Sequence, residues 1–402
     1  MKSCWRLVSA VATKVGLPCN EGEAMAFGDA VTDIELSPHK HLQHVERFQA
    51  LAAGRDTFPV TVELDPVDYC NHRCGWCVDP QHGRTALPAG VAYRLLDELR
   101  ALGVQGIVYK GGGEPTLHPD FPAFLEHARK RAFEVGVVTN GSRLGELDEV
   151  LAAHASYVRI SVDGPNAASH AAVHGVRDFD QVVAGVENLV RCRGSQRHPV
   201  IGVSFAMDYA VIGQIDSAVE LGDRLGVDYV LFRPPFFEEV GRQSTMTIIQ
   251  THAVRQAFED ARQAYRGPMR VLVDHWVSDA EASDLDEAAP PSPRRGGFWT
   301  RGANGIEHVT GRCWAAPLLA VVAADQTVYP CCNLRALSQW AIGRIDYAAG
   351  VGFRTVWEGA RRAEVMAAVR CAACLRHCTH PLSKYNEIVE YLRGPRHHGG
   401  FL

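Results

Sequence analysis

Much of what a chain of this size can be is excluded by what it lacks. No apolar run reaches the length needed to cross a bilayer, so no membrane partner is expected. The stretch from Cys4 to Cys19 is broken by Arg6 and Lys14 and lacks a small-residue cleavage pattern; it reads as a short amphipathic helix, and a cytoplasmic location is expected. No internal repeat is visible, which sets aside solenoids and propellers. Basic charge is not in excess either: with a formal net charge of -5, no electrostatic footprint for bulk nucleic acid is expected. What is present is the composition of a globular protein, 47% hydrophobic and 22% charged. At 402 residues the chain exceeds one ordinary domain, and a large barrel plus a smaller appendage is a reasonable expectation.

Cysteine is plentiful, twelve in all, but the chain is too long for a disulfide scaffold. The thiols cluster instead. Cys70, Cys74 and Cys77 form one group; Cys313, Cys331, Cys332, Cys371, Cys374 and Cys378 form another; Cys4, Cys19 and Cys192 are scattered. Such clustering reads as metal ligation.

Around the first group runs an alternation of strand-like and helix-like segments. Candidate strands lie at 58–64, 106–110, 134–139, 157–162, 200–206 and 228–232, and candidate helices at 89–102, 119–131, 143–153, 178–193, 213–224 and 247–265. Strands each followed by a helix imply parallel pairing with right-handed crossovers. The expected fold class is therefore α/β, a partial (β/α)6 TIM-like barrel of parallel strands. Its site would sit on the loops at the strand C-terminal ends. Residues 1–56 read as a helical extension, with Lys40 to Leu51 the best amphipathic segment; 57–278 as the barrel; 279–309 as a polar linker or mobile loop; and 310–402 as a small cysteine-bearing domain with a C-terminal helix.

The first expected strand delivers the chain to Cys70-Asn71-His72-Arg73-Cys74-Gly75-Trp76-Cys77. Three thiolates bind three corners of a [4Fe–4S] cube and leave one iron without a protein ligand, as an open catalytic site requires. A zinc site or a trio of buried thiols would also fit this spacing, although zinc knuckles prefer CxxC paired with a second CxxC or HxxxH. The CxxxCxxC pattern with an aromatic before its last cysteine resembles the signature of the radical S-adenosylmethionine (SAM) enzymes. The resemblance implies that the open iron chelates SAM and that the reduced cluster breaks its C5′–S bond. The resulting 5′-deoxyadenosyl radical then abstracts hydrogen from substrate.

Later segments strengthen the resemblance. Gly111-Gly112-Gly113-Glu114-Pro115 follows the second expected strand and is similar to the family's segment for the SAM amino group; glycines there let backbone approach a ligand closely. Asn140 ends the third strand, and Ser161 and Asp163 end the fourth, in segments that resemble those lining the SAM ribose and carboxylate. Ser204 and Arg233, on the fifth and sixth strands, are barrel-mouth candidates, since the planar guanidinium suits a carboxylate. Trp76 is placed beside the cluster or the adenine. His170 and His174 are assigned to a loop, facing substrate or serving structure. As ordinary sequence, Asn-Gly and Asp-Gly-Pro are also simply good turns.

The second cysteine group resembles the SPASM/twitch extension of the same superfamily over roughly 310–382. Its spacing is similar to the shorter variant holding one auxiliary [4Fe–4S] cluster, with Cys313, Cys331, Cys371 and Cys374 as ligands and Cys378 a further candidate ligand. Cys332 is then a spare ligand or a hydrogen donor. A zinc site of Cys371, Cys374, Cys378 and His377 or His380 is the alternative. Peptide maturases of the superfamily usually carry a several-stranded N-terminal domain that 1–56 does not resemble. The expected substrate is therefore a small polar metabolite such as a sugar, aminocyclitol or nucleoside, with oxidation slightly ahead of epimerisation and flavodoxin or ferredoxin as electron donor. A peptide-modifying maturase is the runner-up, and a non-catalytic zinc or iron–sulfur scaffold the reading from another class. Anaerobic reconstitution separates enzyme from scaffold: about eight irons per chain with matching sulfide is expected for two cubes, against one or two zincs without sulfide. Cys70→Ala should abolish SAM cleavage yet retain the auxiliary iron.

Overall fold

The computed structural model describes residues 40–75, 77, 83–207, 209–233, 248–273, 312–335, 337–369 and 380–393. The 279–309 segment, Trp76, Cys371, Cys374 and Cys378 lie outside the described residues. By its contacts, 1–43 is a unit of its own, of which 40–43 are described, and His44–Leu402 is the other.

The second unit starts with helix α1 (Val45–Ala52) and strand β1 (Thr61–Leu64). Then come α2 (Ala89–Ala101), β2 (Gly106–Tyr109), α3 (Phe121–Lys130), β3 (Glu134–Thr139), α4 (Asp148–His154) and β4 (Tyr157–Ser161). The chain continues through α5 (Ala167–His174), α6 (Phe179–Arg193), β5 (Val200–Ala206), α7 (Ile215–Leu225), β6 (Tyr229–Arg233), α8 (Ile248–Ala264) and β7 (Arg270–Val273). After residue 311 follow β8 (Leu319–Val322), β9 (Thr327–Tyr329), β10 (Gly343–Arg344), α9 (Phe353–Trp357), α10 (Ala360–Ala368) and α11 (His380–Arg393).

Among the described residues, ten strands join one sheet in the order β10-β9-β8-β1-β2-β3-β4-β5-β6-β7, parallel from β8 to β7. The expected α/β class and parallel strands are present. Alternate residues of the strands meet the helices: Val62, Leu64, Ile107, Tyr109, Val135, Val137, Val158, Ile160, Val203, Phe205, Val230 and Phe232 form one core with Leu95 and Leu99 of α2, Phe124 of α3, Val186 of α6 and Phe258 of α8. At roughly 1.5–3 kcal/mol for each large apolar side chain, this layer is the main stabilising element. The intervening residues Glu63, Gly136, Arg159, Gly202 and Ser204 lie on the opposite sheet face, because successive side chains of a strand alternate.

Two glycines shape that face. Gly136 sits directly opposite Tyr157, and Gly202 directly opposite Tyr229. A Cβ on either would overlap the partner ring, so the aromatic occupies the space that glycine leaves.

Two differences from the sequence reading stand out. A seventh parallel strand, β7, follows α8; with four residues after a Gly-Pro turn it is too short to show an alternation. The segment holding His170 and His174, read as a loop, is helix α5. Asn166 caps it, accepting from the N–H groups of Ala168 (3.1 Å) and Ser169 (3.0 Å), and Gly175 ends it at φ 68°.

Strand β8 pairs parallel with β1, Thr61 opposite Leu319. Glu98 of α2 fastens the following chain by accepting from the N–H groups of Phe353 (2.9 Å) and Arg354 (2.8 Å) at the start of α9. The indole N–H of Trp357 donates to Thr57 O at 2.9 Å. The C-terminal helix α11 packs Val389 with Phe48, Leu51, Trp314 and Leu318.

Gly202→Val should destabilise the fold by about 1–3 kcal/mol through overpacking against Tyr229, read as a lower urea midpoint. Tyr229→Ala added to it should recover part of that loss.

Candidate active site

The C-terminal ends of β1 to β4 carry the sequence-predicted residues to one rim. The loop after β1 holds Cys70, Cys74 and Cys77, all free thiols and half-buried. Cys77 raises the proton affinity of both Cys70 and Cys74, and Cys70 that of Cys74, so the three lie together. Burial is the larger cause: it pushes the Cys70 thiol up to about 11 and Cys74 higher still. Three converging thiols of this kind suit a metal centre, which takes up the thiolates and releases the protons. They are poor nucleophiles by comparison.

The Gly111–Gly113 turn is built against this loop. Gly111 lies at φ 147°, where a side chain would strike the Asp65 carboxylate, and a Cβ on Gly113 would strike the Tyr69 backbone. The N–H of Glu114 donates to Tyr69 O at 2.9 Å. Pro115 then opens a 3-10 turn.

The carboxylate of Glu114 turns into the protein. Its Oε1 accepts from Thr116 N–H (3.1 Å), Thr116 Oγ1 (2.6 Å) and Thr139 Oγ1 (2.6 Å), and its Oε2 from the Asn140 N–H (2.7 Å). It is 3% exposed, and burial raises its pKa despite these donors. Its visible part is a clamp between the glycine turn and the end of β3.

What the clamp positions is Asn140. Its Nδ2 donates to Asn71 Oδ1 at 2.9 Å and reaches Cys70 Sγ at 3.8 Å, while its Oδ1 accepts from Ser142 N–H at 2.9 Å. Asn71 Nδ2 in turn donates to Ser142 Oγ at 2.8 Å. Asn71 and Ser142 were not singled out from sequence; the signal available was their place beside Cys70 and two residues beyond Asn140.

Beyond β4, Asp163 takes a left-handed backbone conformation at φ 54° and accepts from Ala206 N–H at 2.7 Å. Burial pushes its carboxyl up to about 6, against the pull of the Ala206 bond and of Arg233 nearby. Ser161 stands opposite Ser204 in the β4–β5 ladder. Ser204 is buried, its Oγ 3.5 Å from Ile160 O, and Arg233 ends β6. On the C-terminal side, Cys313 and Cys331 pack against the main core. Cys331 shares a hydrogen bond with Cys332 that holds the Cys332 thiol low; Glu63, Lys110 and Arg335 are its charged neighbours. Lys110 pairs with Glu63 at 2.8 Å and Arg335 with Asp65 at 3.3 Å.

Behind the thiols lies a group the sequence reading did not assemble. His72, His174 and Asp178 meet beside Cys74, with His170 against them. His72, Cys74 and His174 offer donor atoms all within 4.8 Å of one another, close enough for a metal ion. The four polar residues come from the cysteine loop, α5 and the start of α6, segments about a hundred residues apart in the chain.

Residues 64–203, spanning the thiols, the glycine turn and Asp163, match the radical SAM superfamily. This segment is a radical SAM domain. A domain of this superfamily implies a [4Fe–4S] cluster and SAM, and Cys70, Cys74 and Cys77 fit the cluster. The chain is 31% identical over 174 residues to the mycofactocin maturase MftC of Mycobacterium ulcerans, covering 42% of this chain and 45% of the relative. It is 32% identical over 139 residues to the GTP 3',8-cyclase of Cronobacter sakazakii, covering 31% of this chain and 41% of that enzyme. The chain spans less than half the length of the curated relatives it matches. Its fold is similar to that of SuiB of Streptococcus suis bound to the precursor peptide SuiA, at TM-score 0.62 and 14% identity, over 94% of this chain and 81% of that one. SuiB has also been solved with bound S-adenosylmethionine. Among the described residues no helix is long and apolar enough to cross a membrane.

Glu114→Gln sets an NH2 group against the Thr116 N–H. An expected loss of about 1–3 kcal/mol follows for a buried donor left without its acceptor, measurable by chemical denaturation, with reduced cluster occupancy because Asn140 loses its anchor.

Proposed function

We propose that this radical SAM enzyme modifies a peptide by abstracting hydrogen from one of its C–H bonds. When bound, the cluster supplies the electron that breaks the C5′–S bond of SAM. The chain's own residues hold and surround it: Cys70, Cys74 and Cys77 as ligands, Asn140 and Asn71 bracing Cys70, and the backbone of Gly111–Gly113 presented at the rim. Asp163, Ser161 and Arg233 are the groups for the polar parts of SAM.

The observation that carries the peptide reading is the similarity to the mycofactocin maturase over 174 residues. The SuiB fold, solved with its precursor peptide, extends over the C-terminal strands as well. The small polar metabolite expected from the short N-terminal extension has less support. Matches to the cyclase are shorter, 139 residues against 174.

We further assign an auxiliary iron–sulfur cluster to the C-terminal region. The antiparallel β8–β9 pair returns the chain on itself, setting Val321 opposite Tyr329. Cys313, before β8, and Cys331, after β9, thereby stand at the same end of the hairpin. Cys371 and Cys374 are the further ligands the spacing supplies, and Cys378 is a candidate to replace one of the four. Cys332, beside Lys110 and Glu63 of the barrel, is a spare ligand or the hydrogen donor.

The test is anaerobic turnover with SAM, a flavodoxin or ferredoxin system, and short peptides encoded next to the gene. A peptide whose mass changes with stoichiometric 5′-deoxyadenosine is expected. Turnover with nucleotides or sugars and none with peptides would reverse the assignment. In D2O, solvent deuterium fixed at carbon in the product marks epimerisation, and its absence oxidation.

A further inference from the structure

Four polar side chains behind the thiols settle where one proton must sit. Asp178 accepts from His72 Nε2 at 2.8 Å through Oδ2 and from His170 Nε2 at 3.0 Å through Oδ1. Burial raises its pKa, but the neighbouring His72 and the bonds from both rings outweigh it and hold the carboxyl below its ordinary range. His72 therefore carries hydrogen on Nε2. His72 and His174 are each 1% exposed, and a second proton would charge a ring shut away from water, so each of these rings holds one proton. With its proton on Nε2, His72 presents a bare Nδ1.

That bare nitrogen lies 3.1 Å from His174 Nδ1. Two unprotonated ring nitrogens at this separation would set lone pair against lone pair, so His174 carries hydrogen on Nδ1. The second acceptor within reach of that hydrogen is Cys74 Sγ, at 3.2 Å. The other nitrogen of His174, Nε2, has longer contacts, 3.2 Å to Val162 O and 3.4 Å to Asp163 Oδ2. Val162 O also lies 2.7 Å from His170 Nδ1. A second proton on Nε2 would leave the Nδ1 hydrogen where it is.

We propose that His174 is a positioning residue that shares its Nδ1–H between His72 Nδ1 and Cys74 Sγ, with its tautomer set by Asp178 through His72, and thereby raises the reduction potential of the cluster. Hydrogen bonds to cluster sulfurs are one of the levers by which a protein sets that potential, since they stabilise the more negative reduced form. The inference rests on the cluster at Cys70, Cys74 and Cys77 and is independent of whether the substrate is a peptide.

The test is an EPR-monitored redox titration of the reconstituted enzyme, following the signal that changes on adding SAM and so belongs to this cluster. His174→Ala, at wild-type iron and sulfide content, should have a more negative midpoint potential. His174→Asn, whose amide N–H can stand near the lost Nδ1–H, should return towards wild type. Asp178→Asn should shift in the same direction as His174→Ala by less. An unchanged potential in a fully loaded His174→Ala enzyme would overturn the proposal, as would failure of the asparagine variant to recover any of the shift. Should His174→Ala fail to hold its cluster, pulsed EPR on wild-type enzyme labelled with 15N-histidine decides. A histidine nitrogen coupling to the reduced cluster is expected, and its absence refutes the bond.

Discussion

A single buried carboxylate ties the rim of this barrel together. Glu114 accepts from Thr116, Thr139 and Asn140, joining the turn after β2 to the end of β3. Burial of an ionised group is tolerable only when its acceptors are filled, and here both oxygens are engaged. Because Asn140 is held through its own backbone N–H, its side chain is free to brace Asn71 and approach Cys70. The glycine turn, meanwhile, rests on the cysteine loop by close backbone approach at Gly113. Three loops from three strands thus become one surface.

The sheet supplies the stage for this. Parallel strands emerge in register, so their C-terminal ends present successive loops side by side. The face towards the helices is apolar throughout, and the opposite face mixes tyrosine-over-glycine pairs with ionic groups such as Glu63, Lys110 and Arg159. Strand β8, arriving from more than two hundred residues downstream, completes the β1 edge and brings Cys332 and Arg335 near Lys110 and Asp65. Cys331 and Cys332, just after β9, are therefore carried by the same sheet as the loop of Cys70, Cys74 and Cys77.

Much of this was legible beforehand. Strands β1 to β6 stand out as short apolar runs followed by helical periodicity, and the three cysteines and Gly111–Glu114 announce their chemistry by spacing. Less legible were β7, whose four residues are too few for a pattern, and α5, whose Ala-Ala-Ser-His start resembles a loop until Asn166 is seen capping it. The side-chain partners of Glu114 were not legible from its position. Its motif points outwards to a ligand, and its side chain points inwards to three residues of the protein.

Local patterning determined the α/β alternation, the three thiols and the glycine turn, because each depends on residues within a few positions of one another. The tertiary structure decided which distant groups meet: Glu114 with Asn140, β8 with β1, and His72 with His174 and Asp178. A histidine carries no mark in the sequence of the ring it will face. Its proton is assigned only when folding sets another nitrogen, a carboxylate or a sulfur about three ångströms away.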